Sequence, residues 1–358
     1  MKPAGPAAIP RWTARLERSW ASGGPLALAL RPLALAHALL LRARRVLFAI
    51  GCLRVQRLPV PVVVVGNYIV GGVGKTPTVL ALVRMLERLG HRPGIVSRGY
   101  GGHAREPFGV ALDTPPAQCG DEPLLLRRRS GLPVFVGRDR VAAARALLAS
   151  HPLTDIIVAD DGLQHLRLGR DLQVVVFDER GVGNGWPLPA GPLREPLPAV
   201  LPDRTLVLYN ASHPSTAWSG SITEARLGGI TALADWWRGS APSRAGVALL
   251  RGRRVIAACG VARPQRFFRM LLDAGLDIVP LALPDHFDYA ALPWPADATD
   301  VVVTEKDAVK LDPERVRTTR VWVAALDFEP PQAFFDEVMR LLALEHPIAE
   351  TPHGNSSA

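Results

Sequence analysis

The chain has 358 residues, with 42 Lys+Arg against 33 Asp+Glu for a net charge of +9. Its 48% apolar content excludes a disordered chain, and its length suits about two domains of ~100–200 residues. Cys52, Cys119 and Cys259 form no CxxC pair, which excludes a disulfide framework or zinc ribbon and suits a reducing compartment; the positive charge attracts nucleic acid, anionic lipid or phosphorylated metabolites alike.

Residues 1–20 place Arg11, Arg15 and Arg18 among Trp12 and Trp20. Residues 25–53 are rich in Leu and Ala, but arginines interrupt them well short of the ~18–20 apolar residues a membrane span needs. The same arginines disfavour a signal peptide. On a helical wheel Leu30, Leu33, Ala36, Leu40, Ala43, Leu47 and Ile50 share one side, with Arg31, Arg42 and Arg45 opposite and Arg44 on the flank. Two readings fit: a helix in a membrane interface with arginines reaching anionic headgroups, or a surface helix packed on its own domain.

After Pro61, residues 62–65 are four valines, as in a central parallel strand. The glycine-rich residues 66–74 follow, and Thr76-Pro77 opens a helix that runs to residue 89 and stops at Gly90. A strand ends at Ser97; further strands are expected at 134–136, 156–159, 174–177 and 205–209, with a helix over 141–148. Residues 210–222 read as a linker. A second series has strands at 255–259, 278–283, 301–304 and 321–324, a helix over 264–274 and a last helix over 331–344; the tail from Thr351 reads as loose. The expected fold is α/β: a P-loop kinase-type parallel sheet with helices on both faces, a second smaller α/β domain, and an N-terminal amphipathic membrane-interface helix. The expected divisions are 1–55, 56–222, 223–330 and 331–358.

The strongest chemical signal is Gly71-Gly72-Val73-Gly74-Lys75-Thr76 between a buried strand and a helix. Backbone N–H groups of such a loop face a polyphosphate, helped by the helix N-terminus; Lys75 reaches the terminal phosphates and the Thr76 hydroxyl binds Mg²⁺. Ile69 stands where the usual G-x-x-x-x-G-K-S/T pattern has its first glycine, and Val70 stands where partition-type ATPases carry lysine. Residues Ile69, Val70, Gly71, Gly72, Val73, Gly74, Lys75 and Thr76 are therefore the candidate ATP cradle. Only four of the 42 basic residues are lysines (Lys2, Lys75, Lys306, Lys310), which sharpens the choice of lysine in that slot. The apolar run 156–159 ends in Asp160-Asp161, the place where P-loop proteins carry a Mg²⁺-holding aspartate; a pair of turn-forming aspartates before Gly162 is the plainer reading.

Further segments accompany these. They are Val65-Gly66-Asn67, Ser97-Arg98-Gly99-Tyr100-Gly101-Gly102, Gly120-Asp121-Glu122-Pro123, Asp160-Asp161-Gly162-Leu163-Gln164-His165 and Pro189-Ala190-Gly191-Pro192-Leu193-Arg194-Glu195. Arg263-Pro264-Gln265-Arg266-Phe267-Phe268, Asp285-His286-Phe287 and Val303-Thr304-Glu305-Lys306-Asp307-Ala308-Val309-Lys310 complete the set. Together, from about residue 30 to 344, they resemble the tetraacyldisaccharide 4'-kinase (lipid A 4'-kinase) family of Gram-negative bacteria. The resemblance implies ATP- and Mg²⁺-dependent phosphorylation of the 4'-hydroxyl of an acylated glucosamine disaccharide 1-phosphate, giving lipid IVA, at the cytoplasmic face of the inner membrane. It implies a peripheral attachment to anionic lipid, no nucleic acid and no protein partner, and it favours the interface reading of residues 25–53.

The resemblance also assigns Asp121 as the catalytic proton acceptor, whereas its place ahead of Pro123 otherwise reads as a helix cap. It pairs His286 with Asp121, since a carboxylate polarises an imidazole. Glu195 is a candidate for the Mg²⁺ site or for orienting the hydroxyl, with an ion-paired loop residue as the alternative; Arg98 and Arg194 are candidate phosphate holders. Lys306 and Lys310, four apart, structure the cleft, touch phosphate or form salt bridges. The competing function is a P-loop ATPase or GTPase of the partition or metallochaperone type, against which Val70 counts.

Overall fold

The computed structural model describes residues 11–103, 106–316 and 318–342. Eight strands form the larger sheet: β1 (Val62–Gly66), β2 (Pro93–Ser97), β3 (Phe108–Gly109), β4 (Val134–Val136), β5 (Ile156–Asp160), β6 (Leu172–Asp178), β7 (Thr205–Asn210) and β8 (Ser221–Thr223). Their order is β3-β4-β2-β5-β1-β6-β7-β8, parallel throughout except where β3 meets β4. The four valines of β1 are buried on both sides, as a central strand demands. Val63 and Val65 face a core shared with α4 (Lys75–Arg88) and α6 (Asp121–Ser130), while Val62 and Val64 face α7 (Arg140–Ser150). The short α5 (Pro116–Cys119) leads into α6.

The smaller sheet contains β9 (Arg226–Ala232), β10 (Arg254–Cys259), β11 (Asp277–Ala282), β12 (Asp300–Thr304) and β13 (Arg320–Asp327), in the order β11-β10-β12-β13-β9. Helices α8 (Leu233–Trp237), α9 (Arg244–Leu250), α10 (Pro264–Asp273) and α11 (Glu305–Ala308) accompany it, and α12 (Gln332–Leu342) returns to pack on β6. Two expectations change here. The stretch read as a linker ends in β8, which joins the larger sheet, and β9 is a strand that the paired glycines Gly228-Gly229 concealed. Gly246 explains part of that: a Cβ there would collide with the Ile230 carbonyl, so glycine lets α9 lie directly on β9. The tail from Thr351 and residues 1–10 lie outside the described residues.

Helix α6 joins the lobes at both of its ends. Arg129 donates to both Glu305 oxygens at 2.5 Å, and Trp236 Nε1 donates to the same carboxylate at 3.0 Å. At the other end Glu122 pairs with Lys306 at 3.0 Å. The site described below forms along this seam.

Ahead of the sheet stand α1 (Arg11–Ser22), α2 (Pro25–Ala29) and α3 (Arg31–Ala49). In α2 and α3 only Ala27 and Ala34 are buried, and Leu33, Leu40, Leu47 and Ile50 are 42–70% exposed. Polar anchors hold the segment: Trp20 Nε1 donates to the Pro189 carbonyl, His37 meets the Leu188 carbonyl at 3.0 Å, and Arg31 stacks over Trp186 at 4.5 Å. Arg31 and Arg45 therefore turn to the protein body, not outward to headgroups as expected; the carboxylate of Glu195 and the ring of Trp186 supply nearer partners. Among the described residues no helix is long and apolar enough to cross a membrane.

Candidate active site

The phosphate loop leaves β1 at Gly66 and enters α4 at Lys75, with Gly71 (φ +89) and Gly74 (φ +102) in the left-handed region. Its carbonyls are turned away and held. Arg180 donates to Val70 and Gly72, and Asn210 Nδ2 donates to Val73 at 3.0 Å. With the carbonyls spent in this way, the loop amides and the start of α4 are left to face an anion. Second-lobe arginines brace the same supports: Arg263 reaches Asp178, which also binds Arg180, and Arg266 reaches Asn210. Sequence reasoning did not assign Arg180 or Asn210; their signal was position, Arg180 just past β6, which neighbours β1, and Asn210 at the end of β7, the next strand out.

Lys75 Nζ lies 3.2 Å from Asn67 Oδ1 and 3.5 Å from Asp161 Oδ1. Asp161 sits at φ +49, a costly backbone conformation for a non-glycine residue, and Arg194 grips both its oxygens at 2.7 and 3.0 Å. Burial alone would raise the Asp161 carboxyl, but Lys75 and Arg194 outweigh it and hold it below the ordinary range. Arg194 thus binds Asp161 where phosphate was expected. Arg98, the other candidate phosphate holder, is exposed beyond β2, near enough to Arg140 for their charges to repel.

Asp160 is different. It is buried; Oδ2 accepts from Ser97 at 3.2 Å and Oδ1 has no hydrogen-bond partner. Burial, then the charges of Glu122 and Asp161, push its carboxyl upward. A buried carboxylate oxygen left without a partner beside the phosphate loop fits Mg²⁺, with Asp160 and the half-buried Thr76 as the residues that would hold it. Glu195 does not join them. Its oxygens bind Arg45 at 2.5 Å and Gln164 at 3.1 Å, so the ion-paired reading replaces the metal one. Among the described residues no three His, Cys, Asp or Glu side chains gather around one point.

At the seam, Asp121 is the first residue of α6, with Gly120 and not Asp121 in the capping position. Its carboxylate receives His286 Nδ1 at 2.9 Å and the Glu122 amide at 3.0 Å, with Lys310 Nζ at 3.5 Å. Burial would raise Asp121, yet the His286 bond and the two lysines bring it down to about 2. His286 is held at φ +59, and its bond to Asp121 raises it above the usual histidine range. Its Nε2 lies 3.5 Å from Lys306, and Tyr100, 62% exposed, places its ring 5.3 Å away. Lys306 and Lys310 therefore form the salt bridges anticipated as one of their readings, and these bear on the Asp121–His286 pair. A cavity of about 340 Å³ bounded by Arg127, Phe135 and His151 lies apart from all these groups.

The model of the tetraacyldisaccharide-1-P 4'-kinase family matches residues 26–343. A tetraacyldisaccharide 4'-kinase of Leptothrix cholodnii is 52% identical over 94% of this chain and 98% of its own. That of Methylibium petroleiphilum is 56% identical over 92% and 93%. The crystal structure of an LpxK from Aquifex aeolicus in complex with ATP superposes with a TM-score of 0.73 at 26% identity, covering 88% of this chain and 99% of that one. With more than half its length matched and with relatives at this identity, the chain belongs to the tetraacyldisaccharide-1-P 4'-kinase family.

Proposed function

We propose that the chain transfers the γ-phosphoryl group of ATP to the 4'-hydroxyl of a tetraacylated glucosamine disaccharide 1-phosphate, giving lipid IVA, and that Lys75 and Asp121 of the larger lobe act with His286 of the smaller one where the lobes meet. The observation that carries the reading is the seam itself. A phosphate loop needs no buried carboxylate–imidazole pair to hold nucleotide, but a kinase acting on a sugar hydroxyl needs a proton acceptor facing that loop. A regulatory ATPase has no use for such a pair.

The division of labour follows from the groups. The loop amides of residues 71–74 and Lys75 neutralise the transferring phosphoryl. Asp160 and Thr76 would hold Mg²⁺, which would supply charge neutralisation at the phosphate oxygens. Asp121 is buried and engaged by several donors, so the hydroxyl proton enters the pair at His286, which is more exposed, while Asp121 keeps the ring oriented and stabilises its cationic form. Residues 56–222 hold the nucleotide and 223–330 bring His286. Purified protein given labelled ATP, Mg²⁺ and a disaccharide 1-phosphate lipid is expected to yield a bisphosphorylated lipid. ATP hydrolysis without labelled lipid would instead support the switch-type reading.

Residues 1–55 provide the seat at the membrane, at the cytoplasmic face of the inner membrane. Their leucines point outward while Trp20, His37, Arg31 and Arg45 tie the segment to residues 186–195, beside the phosphate loop. An acceptor with acyl chains reaches the site from that side. Deleting residues 1–50 is expected to lower partitioning onto anionic vesicles in a flotation assay. Unchanged partitioning would return the segment to an ordinary surface role.

A further inference from the structure

Arg45 belongs to α3 and contacts none of the reacting groups, yet it begins a continuous line of side chains that ends at Lys75. Its Nη2 donates to Glu195 at 2.5 Å. The other Glu195 oxygen accepts from Gln164 Nε2 at 3.1 Å, and that same amide donates to the Asn67 carbonyl at 3.1 Å. Asn67 is fully buried; its side-chain amide donates to the Ile69 carbonyl, and its Oδ1 accepts from Lys75 Nζ at 3.2 Å. From Asn67 to Lys75 the chain is the phosphate loop itself.

We propose that Arg45 is a positioning residue for phosphoryl transfer, holding Lys75 in register through the line Glu195–Gln164–Asn67 and so coupling the exposed apolar helix to the nucleotide side of the site. The physical reason is that Glu195 is nearly fully buried, with 5% of its side chain exposed, and its two oxygens bond only Arg45 and Gln164 among the described residues. The nearby Arg170 is committed to the carbonyls of Leu163 and His165. Without Arg45 the buried carboxylate lacks its bonded cation and must recruit another donor; Gln164 is the one already in hand. A turned Gln164 releases the Asn67 carbonyl, and Asn67 is the group that orients Lys75. The direction of coupling is also set: whatever seats α3 biases the same line, because Arg45 lies on a helix whose leucines are exposed.

The inference deepens the reading given above but is tested where that reading is silent, on nucleotide binding with no acceptor present. In the full chain, Arg45→Met is expected to weaken MgATP binding roughly tenfold, the lower end of what loss of a supporting contact costs a site. Gln164→Leu should do the same, and the double variant should bind no worse than either single one, since both cut one line. Arg45→Met/Glu195→Gln, which removes the stranded charge, should recover much of the loss and guards against a merely misfolded single variant. MgATP binding unchanged in Arg45→Met, or losses that add fully in the double variant, would overturn the proposal. A raised acceptor KM with unaltered nucleotide binding would also overturn it, since Arg45 would then be an acceptor contact. If the parent chain bound MgATP but phosphorylated no lipid, the proposed reaction would fail while the line from Arg45 to Lys75 stayed open to the same measurement.

Discussion

Asp121→Asn is expected to slow transfer to the sugar hydroxyl by about 10²–10⁴-fold, the usual range for losing proton-transfer assistance, and to move the acid limb of the pH–rate profile downward. The sign follows from the two groups. Asp121 is held down to about 2, so it stays ionised throughout any practical assay and cannot itself set the limb. His286 is raised above its ordinary value by the Asp121 hydrogen bond, and only neutral imidazole accepts a proton. In the parent chain kcat/KM should therefore fall as pH drops through a value above the ordinary ~6.5 of histidine. Asparagine removes the carboxylate that raises His286 most, leaving burial and Lys306 to lower it against the weaker pull of Asp285, so the limb should shift to lower pH while the plateau drops. A plateau unchanged in Asp121→Asn, or a limb that stays in place, would remove the pair from the proton-accepting role.

How much of this the sequence carried depends on whether a residue's partner is near it in the chain. Lys75, Thr76 and the two aspartates were legible because a buried strand, a glycine turn and a helix start fall within one short stretch, and strand-end aspartates follow the same local logic. Asp121 was ambiguous from its own surroundings, which read as a helix start. The contact on which its proposed role rests is with His286, 165 positions away, and only family resemblance connected them. Glu195 was left open between a metal site and an ion pair for the same reason: its partner Arg45 lies 150 residues earlier on a helix whose arginines were expected to face lipid. The loop supports Arg180 and Asn210 escaped because holding a carbonyl in place leaves no compositional mark. In the fold, strands with continuous β-branched runs were read correctly. β9 was missed because Gly228 and Gly229 serve close packing, which looks like a turn in one dimension.

Lys75→Ala should separate folding from chemistry more cleanly than any other single change. Lys75 is the first residue of α4 and its ammonium group serves two acceptors, Asn67 and Asp161. Asp161 keeps both bonds to Arg194, and Asn67 keeps the bond from its side-chain amide to Ile69, so the change leaves one buried acceptor, Asn67 Oδ1, without its donor. Alanine also suits a helix. The melting temperature should therefore fall by only a few degrees, the cost of that single unmet acceptor. Transfer should not, because the positive charge aimed at the terminal phosphates is worth most in the transition state, where negative charge shifts between the γ-phosphoryl group and its leaving oxygen. By analogy with removing one preorganised donor from a site of developing charge, the expected loss is about 10²–10³-fold in kcat. Lys75→Arg should not rescue it: a guanidinium is wider and planar, and the slot between Asn67 and Asp161 is filled by a compact ammonium. Near-normal lipid phosphorylation by Lys75→Ala would mean that the loop amides alone carry the phosphoryl group, and the line of contacts arriving from Arg45 would then have nothing to position.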